Sequence, residues 1–154
     1  MYPRDYVTSH WSGGTTTQLA ISPEGARYTD RDFLWRISSA IVTVKESDFT
    51  LLPDYHRLIS VLEGDMKLAH NGGEPVVLRP GDVHTFAGGD ETHASGCCTD
   101  FNLMLRRGQA DGRMEAVRLC KKSREWTLLQ QAEAFLLYCV SGSRSEERRV
   151  GKEC

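Results

Sequence analysis

Short apolar runs separated by turn-forming residues fill the chain from its start to about residue 107. Within these runs apolar and polar residues alternate, which is the period of a β-strand with one buried face. Gly, Pro, Asn and Asp interrupt the runs every 8–12 residues or so, a spacing typical of antiparallel sandwiches and barrels. We therefore predict an all-β fold, with strands over 18–21, 33–44, 49–52, 57–64, 66–70, 76–78, 84–86, 92–94 and 99–105.

Two of the predicted strands carry polar residues in unusual places. In the strand over 33–44, the alternation places Arg36 on a face of otherwise small residues. In the strand over 99–105, it places Asp100 and Asn102 together on one face. A small, polar face that is turned inward leaves room for a ligand. We therefore expect a polar pocket, whereas Trp35 on the opposite face is predicted to lie in the core.

The strand over 57–64 and the turns after it follow the order of a cupin hairpin. Metal cupins place a His-x-His pair and a Glu on the strand that enters this hairpin, with the Glu seven positions before the closing Gly. Counting back from Gly64 gives Arg57, and the His-x-His window falls on residues 50–53, which contain no His. A guanidinium is always protonated and repels a metal ion. The sequence thus argues against the cupin metal, and we expect no metal and no cofactor.

Arg57 is open to two interpretations. Its planar fork can donate two parallel hydrogen bonds to a carboxylate, and Arg36 can supply a second cation. Alternatively, Arg57 pairs with Asp54, Glu63 or Asp100 and only holds the barrel together.

The first interpretation predicts a binding site without catalytic residues. In it, Arg57 and Arg36 hold the carboxylate of a small acidic metabolite. Two polar residues of the last strand orient the ligand, and two residues near the start of the chain close the mouth. The candidate ligand-binding residues are Arg57, Arg36, Asp100, Asn102, Trp11 and Thr15.

Composition and charge narrow the class of protein. The chain has 154 residues, a formal net charge of -2 and a pI near 6.2, without the basic stripe of a nucleic-acid binder. No apolar run is long enough to span a membrane, and the start lacks the order of a signal peptide. The five cysteines form no C-x-x-C pair and are expected to be reduced thiols. We predict a cytoplasmic protein that binds neither nucleic acid nor membrane, and the sequence leaves open whether it forms a homodimer.

The second half of the chain is organised differently. Apolar runs over 114–119, 126–129 and 134–140 predict the first strands of a second sheet. Residues 144–154 form a charged block that also looks like the translation of a sequencing adapter. The predicted organisation is a first barrel over 1–107, a partial second barrel over 108–143 and a disordered, non-native tail over 144–154.

Five sequence blocks in this order resemble the HutD/Ves family of cupin-like proteins. They are Trp-Ser-Gly-Gly-Thr-Thr at 11–16, Trp-Arg-Ile-Ser-Ser-Ala at 35–40, Phe-Thr-Leu-Leu at 49–52, Arg-Leu-Ile-Ser-Val-Leu-Glu-Gly at 57–64 and Asp-Phe-Asn-Leu-Met at 100–104. The resemblance implies a bicupin, whose members extend beyond the point where this chain leaves the pattern, so the second barrel is expected to be truncated. It also implies a link to bacterial histidine utilisation, in which members are thought to bind a small acidic intermediate and to moderate the pathway. Other members are described as stress-induced.

The sequence therefore favours a HutD-like carboxylate-binding protein without catalytic activity. Two alternatives stay open. One is a metal-dependent cupin isomerase or oxygenase that uses His84 or His93. The other is a structural or stress-induced protein that binds no ligand.

Overall fold

A computed structural model describes residues 6–118 and 132–140. The chain divides into two units, of which the first comprises residues 2–117 and the second comprises residue 1 and residues 118–154. In the first unit the described residues form ten strands and one 3₁₀ turn, Tyr28–Asp30. The strands are β1 Val7–Trp11, β2 Gly14–Ser22, β3 Trp35–Val42, β4 Glu46–Asp48, β5 Tyr55–Gly64, β6 Met66–His70, β7 Val76–Leu78, β8 Val83–Ala87, β9 Thr92–Ser95 and β10 Cys98–Arg106.

These strands form two antiparallel sheets. The larger sheet has the order β1-β2-β3-β10-β5-β8, and the smaller one has the order β4-β9-β6-β7. The predicted all-β class is confirmed. Among the described strands, hydrogen bonding does not close the two sheets into one barrel.

The two sheets share one apolar core. Ile59 and Val61 of β5 and Leu68 of β6 are fully buried. Burying each such side chain contributes roughly 1.5–3 kcal/mol. In β3 and in most of β10, buried residues alternate with less buried ones, and the inward faces contribute Val42 and Cys98 to this core. The buried members of the core are Val42, Ile59, Val61, Met66, Leu68, Leu78, Phe86, Ala94 and Cys98.

A second apolar cluster lies at one end of the larger sheet. The rings of Phe33 and Tyr55 stack with centroids 4.4 Å apart, and Leu52 and Met104 complete the cluster. The Tyr55 hydroxyl donates a hydrogen bond to the Phe33 carbonyl oxygen, 2.7 Å away. This bond satisfies the polar end of an otherwise buried ring.

The strand predicted over 49–52 is wrong in position. The strand lies three residues earlier, at Glu46–Asp48, where the sequence suggests a polar turn. This short strand is mostly exposed and pairs with β9, so an apolar face is not needed to define it. Phe49 and Leu52 are instead anchored outside the strand ladder, through main-chain bonds from Phe49 to Thr92 and from Leu52 to Gly88.

The strands predicted in the second half are not present where the structure describes the chain. Neither residues 114–118 nor residues 134–140 form a strand. Residues 132–140 are mostly exposed, and an apolar run becomes a strand only where a neighbour completes its hydrogen bonds. The predicted strand over 126–129 and the predicted tail over 144–154 lie outside the described residues. None of the described residues forms a helix with the length and apolarity that a membrane crossing requires.

Candidate functional site

Four polar residues meet on the inner face of the larger sheet. In the register of the central strands, Met104 of β10 stands between Arg36 of β3 and Arg57 of β5. Two residues earlier on β10, Asn102 pairs with Ser38 of β3. All five residues are buried. The structure thus brings the polar faces of the two predicted strands side by side.

Arg57 is buried without an acidic partner. Its side chain is 6% exposed, and its Nη1 donates a hydrogen bond to the Thr50 carbonyl oxygen at 3.3 Å. Its Nε is also buried and has no hydrogen-bond partner. The guanidinium carbon lies 4.9 Å from the centre of the Phe49 ring and 5.3 Å from that of Phe86. The aromatic walls stabilise the cation but supply no acceptor in the plane of the guanidinium group for its unpaired Nε.

The ion pairs that would make Arg57 a structural strut are not formed. Among the described residues, no carboxylate of Asp54, Glu63 or Asp100 comes within 4.0 Å of its nitrogens. Burial lowers the pKa of Arg57 to about 10, while Tyr28 and Asp100 act in the opposite direction. The group remains a cation at neutral pH.

Asp100 is the carboxyl group of this cluster. Its Oδ1 accepts hydrogen bonds from the main-chain nitrogen of Ala40 at 3.2 Å and from Nδ2 of Asn102 at 2.6 Å. Burial raises the pKa of Asp100 to about 7, although these two bonds and the charge of Arg57 oppose the shift. The Oδ1 of Asn102 is buried and has no partner. The cluster therefore contains a carboxyl group that is partly neutral at physiological pH.

Arg36 lies beside a second aromatic contact. Its Nε donates a hydrogen bond to Oε1 of Gln18 at 2.8 Å, and its guanidinium carbon is 4.1 Å from the centre of the Tyr28 ring. Arg31 contacts the same ring at 4.2 Å. Burial lowers the pKa of Arg36, Tyr28 opposes that shift and the charge of Arg31 adds to it. The charges of Arg31 and Arg36 also lower the pKa of Arg57, so three guanidinium groups act on one another.

Two candidate residues lie apart from this cluster. Thr15 pairs with Ile41 on the opposite face of the sheet, because its neighbour Thr16 is the residue opposite Ala40. Trp11 is at the end of the edge strand β1 and is 38% exposed. The structure therefore brings together Arg36, Arg57, Asp100 and Asn102 but not Trp11 or Thr15. Trp35, predicted to lie in the core, is half-buried.

The two histidines of the metal hypothesis are on different sheets. His93 of β9 is exposed, and its Nδ1 lies 2.8 Å from Asp48, which raises the pKa of His93. His84 of β8 is hydrogen-bonded to His70. Within residues 6–118 and 132–140, no three His, Cys, Asp or Glu side chains converge in a way that could hold a metal ion.

Two open clefts are not lined by any member of the arginine cluster, by which we mean Arg36, Arg57, Asp100 and Asn102. One, of about 280 Å³, is lined by Asp54, Arg106 and Arg107 among others. The other, of about 350 Å³, is lined by Asp48 and His93 among others. The second cleft is bounded by Phe49, whose ring also contacts the guanidinium group of Arg57.

Sequence reasoning missed Gln18, Tyr28, Thr50 and Phe86 as neighbours of the arginines. Phe86 stands opposite Arg57 in the register of β5 and β8, which no local pattern specifies. Tyr28 comes from a polar connection between strands, where nothing marks one aromatic ring as a contact for two arginines. Gln18, Thr50 and Phe86 lie in predicted strands, but a strand prediction does not show that they contact an arginine.

Comparison with known proteins gives a family and a set of similar structures. The HutD family model matches residues 3–153. The structure is similar to PA5104 from Pseudomonas aeruginosa PAO1, a conserved protein of unknown function, with 34% identity and a TM-score of 0.61 over 70% of this chain and 56% of that one. It is also similar to HutD from Pseudomonas fluorescens SBW25, in a structure of a formate condition, with 28% identity and a TM-score of 0.59 over 68% of this chain and 58% of that one.

A more distant similarity concerns the fold alone. KdgF from Halomonas sp. has 12% identity and a TM-score of 0.53, over 69% of this chain and 93% of that one. No curated protein matches the sequence. The chain spans a little more than half of the length of the two Pseudomonas proteins.

Proposed function

The chain belongs to the HutD family, and from this premise we propose that it binds a small carboxylate at the buried cluster of Arg36, Arg57, Asp100 and Asn102 without catalysing a reaction. The observation that carries the proposal is the unpaired Nε of Arg57. A buried charged donor without a partner costs more free energy than the burial of a neutral group, so native structures rarely retain one. A bound anion would supply the missing acceptor.

The balance of charge supports the same proposal. Arg31, Arg36 and Arg57 act on one another electrostatically, and Asp100 is the carboxyl group that acts on Arg57. With a pKa raised to about 7, Asp100 offsets only part of this positive charge. An anionic ligand would relieve the repulsion among the guanidinium groups.

The unpaired atoms also suggest the class of ligand. Nε of Arg57 requires an acceptor, and the unpaired Oδ1 of Asn102 requires a donor. A carboxylate that also carries an N–H group, such as an N-acyl amino acid, offers both. A neutral Asp100 can add a hydrogen bond to a carboxylate oxygen, which an ionised Asp100 cannot.

The proposed biological role is regulation of histidine utilisation by an acidic metabolite, as the family resemblance implies. The formate condition of the Pseudomonas fluorescens HutD structure makes formate, the smallest carboxylate, a natural first probe. The chain spans 56% and 58% of the length of its two Pseudomonas relatives, so a role of the full-length proteins belongs to this proposal. A two-barrel fold, a truncated second barrel and a cytoplasmic location likewise stay predictions.

Calorimetric titration with formate and with an N-acyl glutamate tests the proposal. We expect the wild-type protein to bind at least one of them, and Arg57→Ala to weaken binding about tenfold or more, because it removes a charge-assisted hydrogen bond. Arg57→Lys should give an intermediate affinity, since it keeps the charge but loses the planar fork. The matched control is Arg79→Ala, which removes an exposed arginine and should leave the affinity unchanged. Equal affinities in the wild type and Arg57→Ala would contradict the proposal and favour a protein without a ligand at this cluster.

A further inference from the structure

Two histidines form a hydrogen bond between the two sheets. His70 is the last residue of β6 in the smaller sheet, and His84 belongs to β8 at the edge of the larger sheet. Their Nε2 atoms are 2.9 Å apart, which is hydrogen-bond distance. Both side chains are half-buried, and the Phe86 ring lies 4.8 Å from that of His70 and 5.8 Å from that of His84.

The two rings point at each other along nearly one line. Their planes differ by 21°, and their centroids are 5.1 Å apart. This separation is close to the N···N distance plus one ring radius on each side, so the rings lie end to end. An end-to-end arrangement suits a shared proton, whereas two imidazoles that chelate one metal ion at a tetrahedral or right angle would have to be tilted.

Neighbouring groups set the direction of this hydrogen bond. The Asp90 carbonyl oxygen, 3.3 Å from the Thr92 hydroxyl, can only accept, so we assign the hydroxyl as its donor and as the acceptor of the bond from Nδ1 of His70, 2.8 Å away. His70 therefore carries its proton on Nδ1 and offers a lone pair at Nε2. Nε2 of His84 must then be the donor. Three hydrogen bonds follow one another from His84 through His70 and Thr92 to the backbone.

We propose that the His70–His84 pair is an acid-sensitive link between the two sheets, which accepts one proton without breaking and opens when a second proton is added. The first proton can bind at Nδ1 of His84, because that leaves the Nε2 donor in place. The second would have to occupy the lone pair of His70 and would set two N–H groups against each other. This inference does not depend on the proposed ligand.

The surroundings give little compensation for a second charge. In the strand register, His84 of β8 stands opposite Ile59 of β5, and His70 of β6 stands opposite Thr92 of β9. The Asp90 carboxylate accepts a hydrogen bond from Asn71, and the titratable group that acts on His84 is His70 itself. Burial lowers the pKa of His84, and the charge of His70 lowers it further.

The sign of the effect on stability follows from this direction. A histidine whose pKa is lower in the folded state contributes stability above its ordinary value of 6.5, and this contribution is lost as the pH falls through the folded-state value. The first proton therefore already costs stability as the pH falls, and the link itself opens in more acidic solution, when the second proton binds. Phe86 contacts both His70 and Arg57, so opening of the His70–His84 link would release one aromatic wall of the arginine cluster.

Imidazole nitrogen NMR of the wild-type protein tests the proton arrangement directly. We expect His70 to be protonated at Nδ1 and His84 at Nε2 at neutral pH, and we expect the pair to titrate in two separate steps. A His70 that carries its proton on Nε2, or two histidines that titrate independently, would overturn the proposal.

A double-mutant cycle tests the link itself. We expect His70→Gln and His84→Gln to be coupled in thermal stability at pH 8 and to lose that coupling at pH 5. The double variant should also lose less stability than the wild type between these two pH values. His56→Gln, which changes an exposed histidine of β5, is the control and should keep the wild-type pH dependence. A coupling that is absent at pH 8, or equal at both pH values, would contradict the link. If a variant does not fold, the nitrogen titration of the wild type still decides.

Discussion

Asp100 shows how burial changes the chemistry of a single side chain. An exposed aspartate is ionised at neutral pH, but burial raises the pKa of Asp100 to about 7 despite two hydrogen bonds and a nearby arginine. Desolvation penalises the charged form more than these partners stabilise it. The group is thus poised to gain or lose a proton under ordinary conditions.

Asp100→Asn should remove a pH dependence of stability. Because the folded-state pKa lies above the ordinary value of 3.8, the stability linked to this group is present below that value and is lost as the pH rises through about 7. The variant keeps an oxygen that can accept from Ala40 and Asn102 but carries no charge. We expect its free energy of unfolding, relative to that of the wild type, to be higher at pH 8.5 than at pH 5 by about 1 kcal/mol or more, with a matching gain in melting temperature. Parallel melting curves across this range would contradict the assignment.

The same proton should control the affinity for a carboxylate. Formate should bind more weakly as the pH rises through about 7, because an ionised Asp100 repels the anion and no longer donates a hydrogen bond. Calorimetry at pH 6 and pH 8.5 measures this difference. Asp100→Asn should flatten the profile, whereas a profile identical to that of the wild type would place the titrating group elsewhere.

The strands β3 and β10 show how far sequence patterns reach. Alternation alone correctly placed Arg36 on one face of β3, and Asp100 with Asn102 on one face of β10. Alternation cannot show that these strands are neighbours, because their pairing joins residues about 60 positions apart. The prediction for β4 failed for a different reason. This edge strand is mostly exposed and has no apolar pattern, whereas the segment that follows it is apolar but is not a strand.

Substitution of Gly14 tests how closely β2 packs against β3. Its φ is +153°, and a Cβ at this position would overlap the carbonyl oxygen of Ile41. Gly14→Ala should therefore cost about 2–4 kcal/mol from backbone strain and overpacking. Gly25→Ala is the matched control, because its φ is +82° but no atom lies within 4 Å of the added methyl group, so strain alone costs about 1–2 kcal/mol. Thermal denaturation of both variants measures the difference, and equal losses would show that the overlap relaxes freely.

At the scale of the whole molecule, the residues of the proposed site all lie within the first unit, 2–117. The family match extends over 3–153, yet the structural similarity to the two Pseudomonas proteins covers 68–70% of the chain. The sequence predicted strands beyond residue 107 from apolar runs alone. Strand pairing depends on a partner, which a run of apolar residues does not specify.

Deletion of residues 144–154 should leave the protein unchanged. Its composition predicts a disordered, dispensable tail, and its likeness to a translated sequencing adapter predicts that it is non-native. A chain that ends at residue 143 should therefore melt within about 1 °C of the full chain, since surface changes away from packed features usually alter stability little. A clear loss of melting temperature would show that the segment belongs to the fold.

The adjacent cysteines at the start of β10 can report how fast the larger sheet opens. Cys97 is exposed, whereas Cys98 is buried between Val42 of β3 and Gly64 of β5, and burial raises its pKa to about 12. A thiol reagent reacts with the thiolate, so it should modify Cys97 at once and reach Cys98 only when the centre of the sheet separates. Mass spectrometry measures the delay between the two modifications, and this delay gives the time that the sheet takes to separate. Repeated at several pH values and with formate, it would show when the interior becomes accessible.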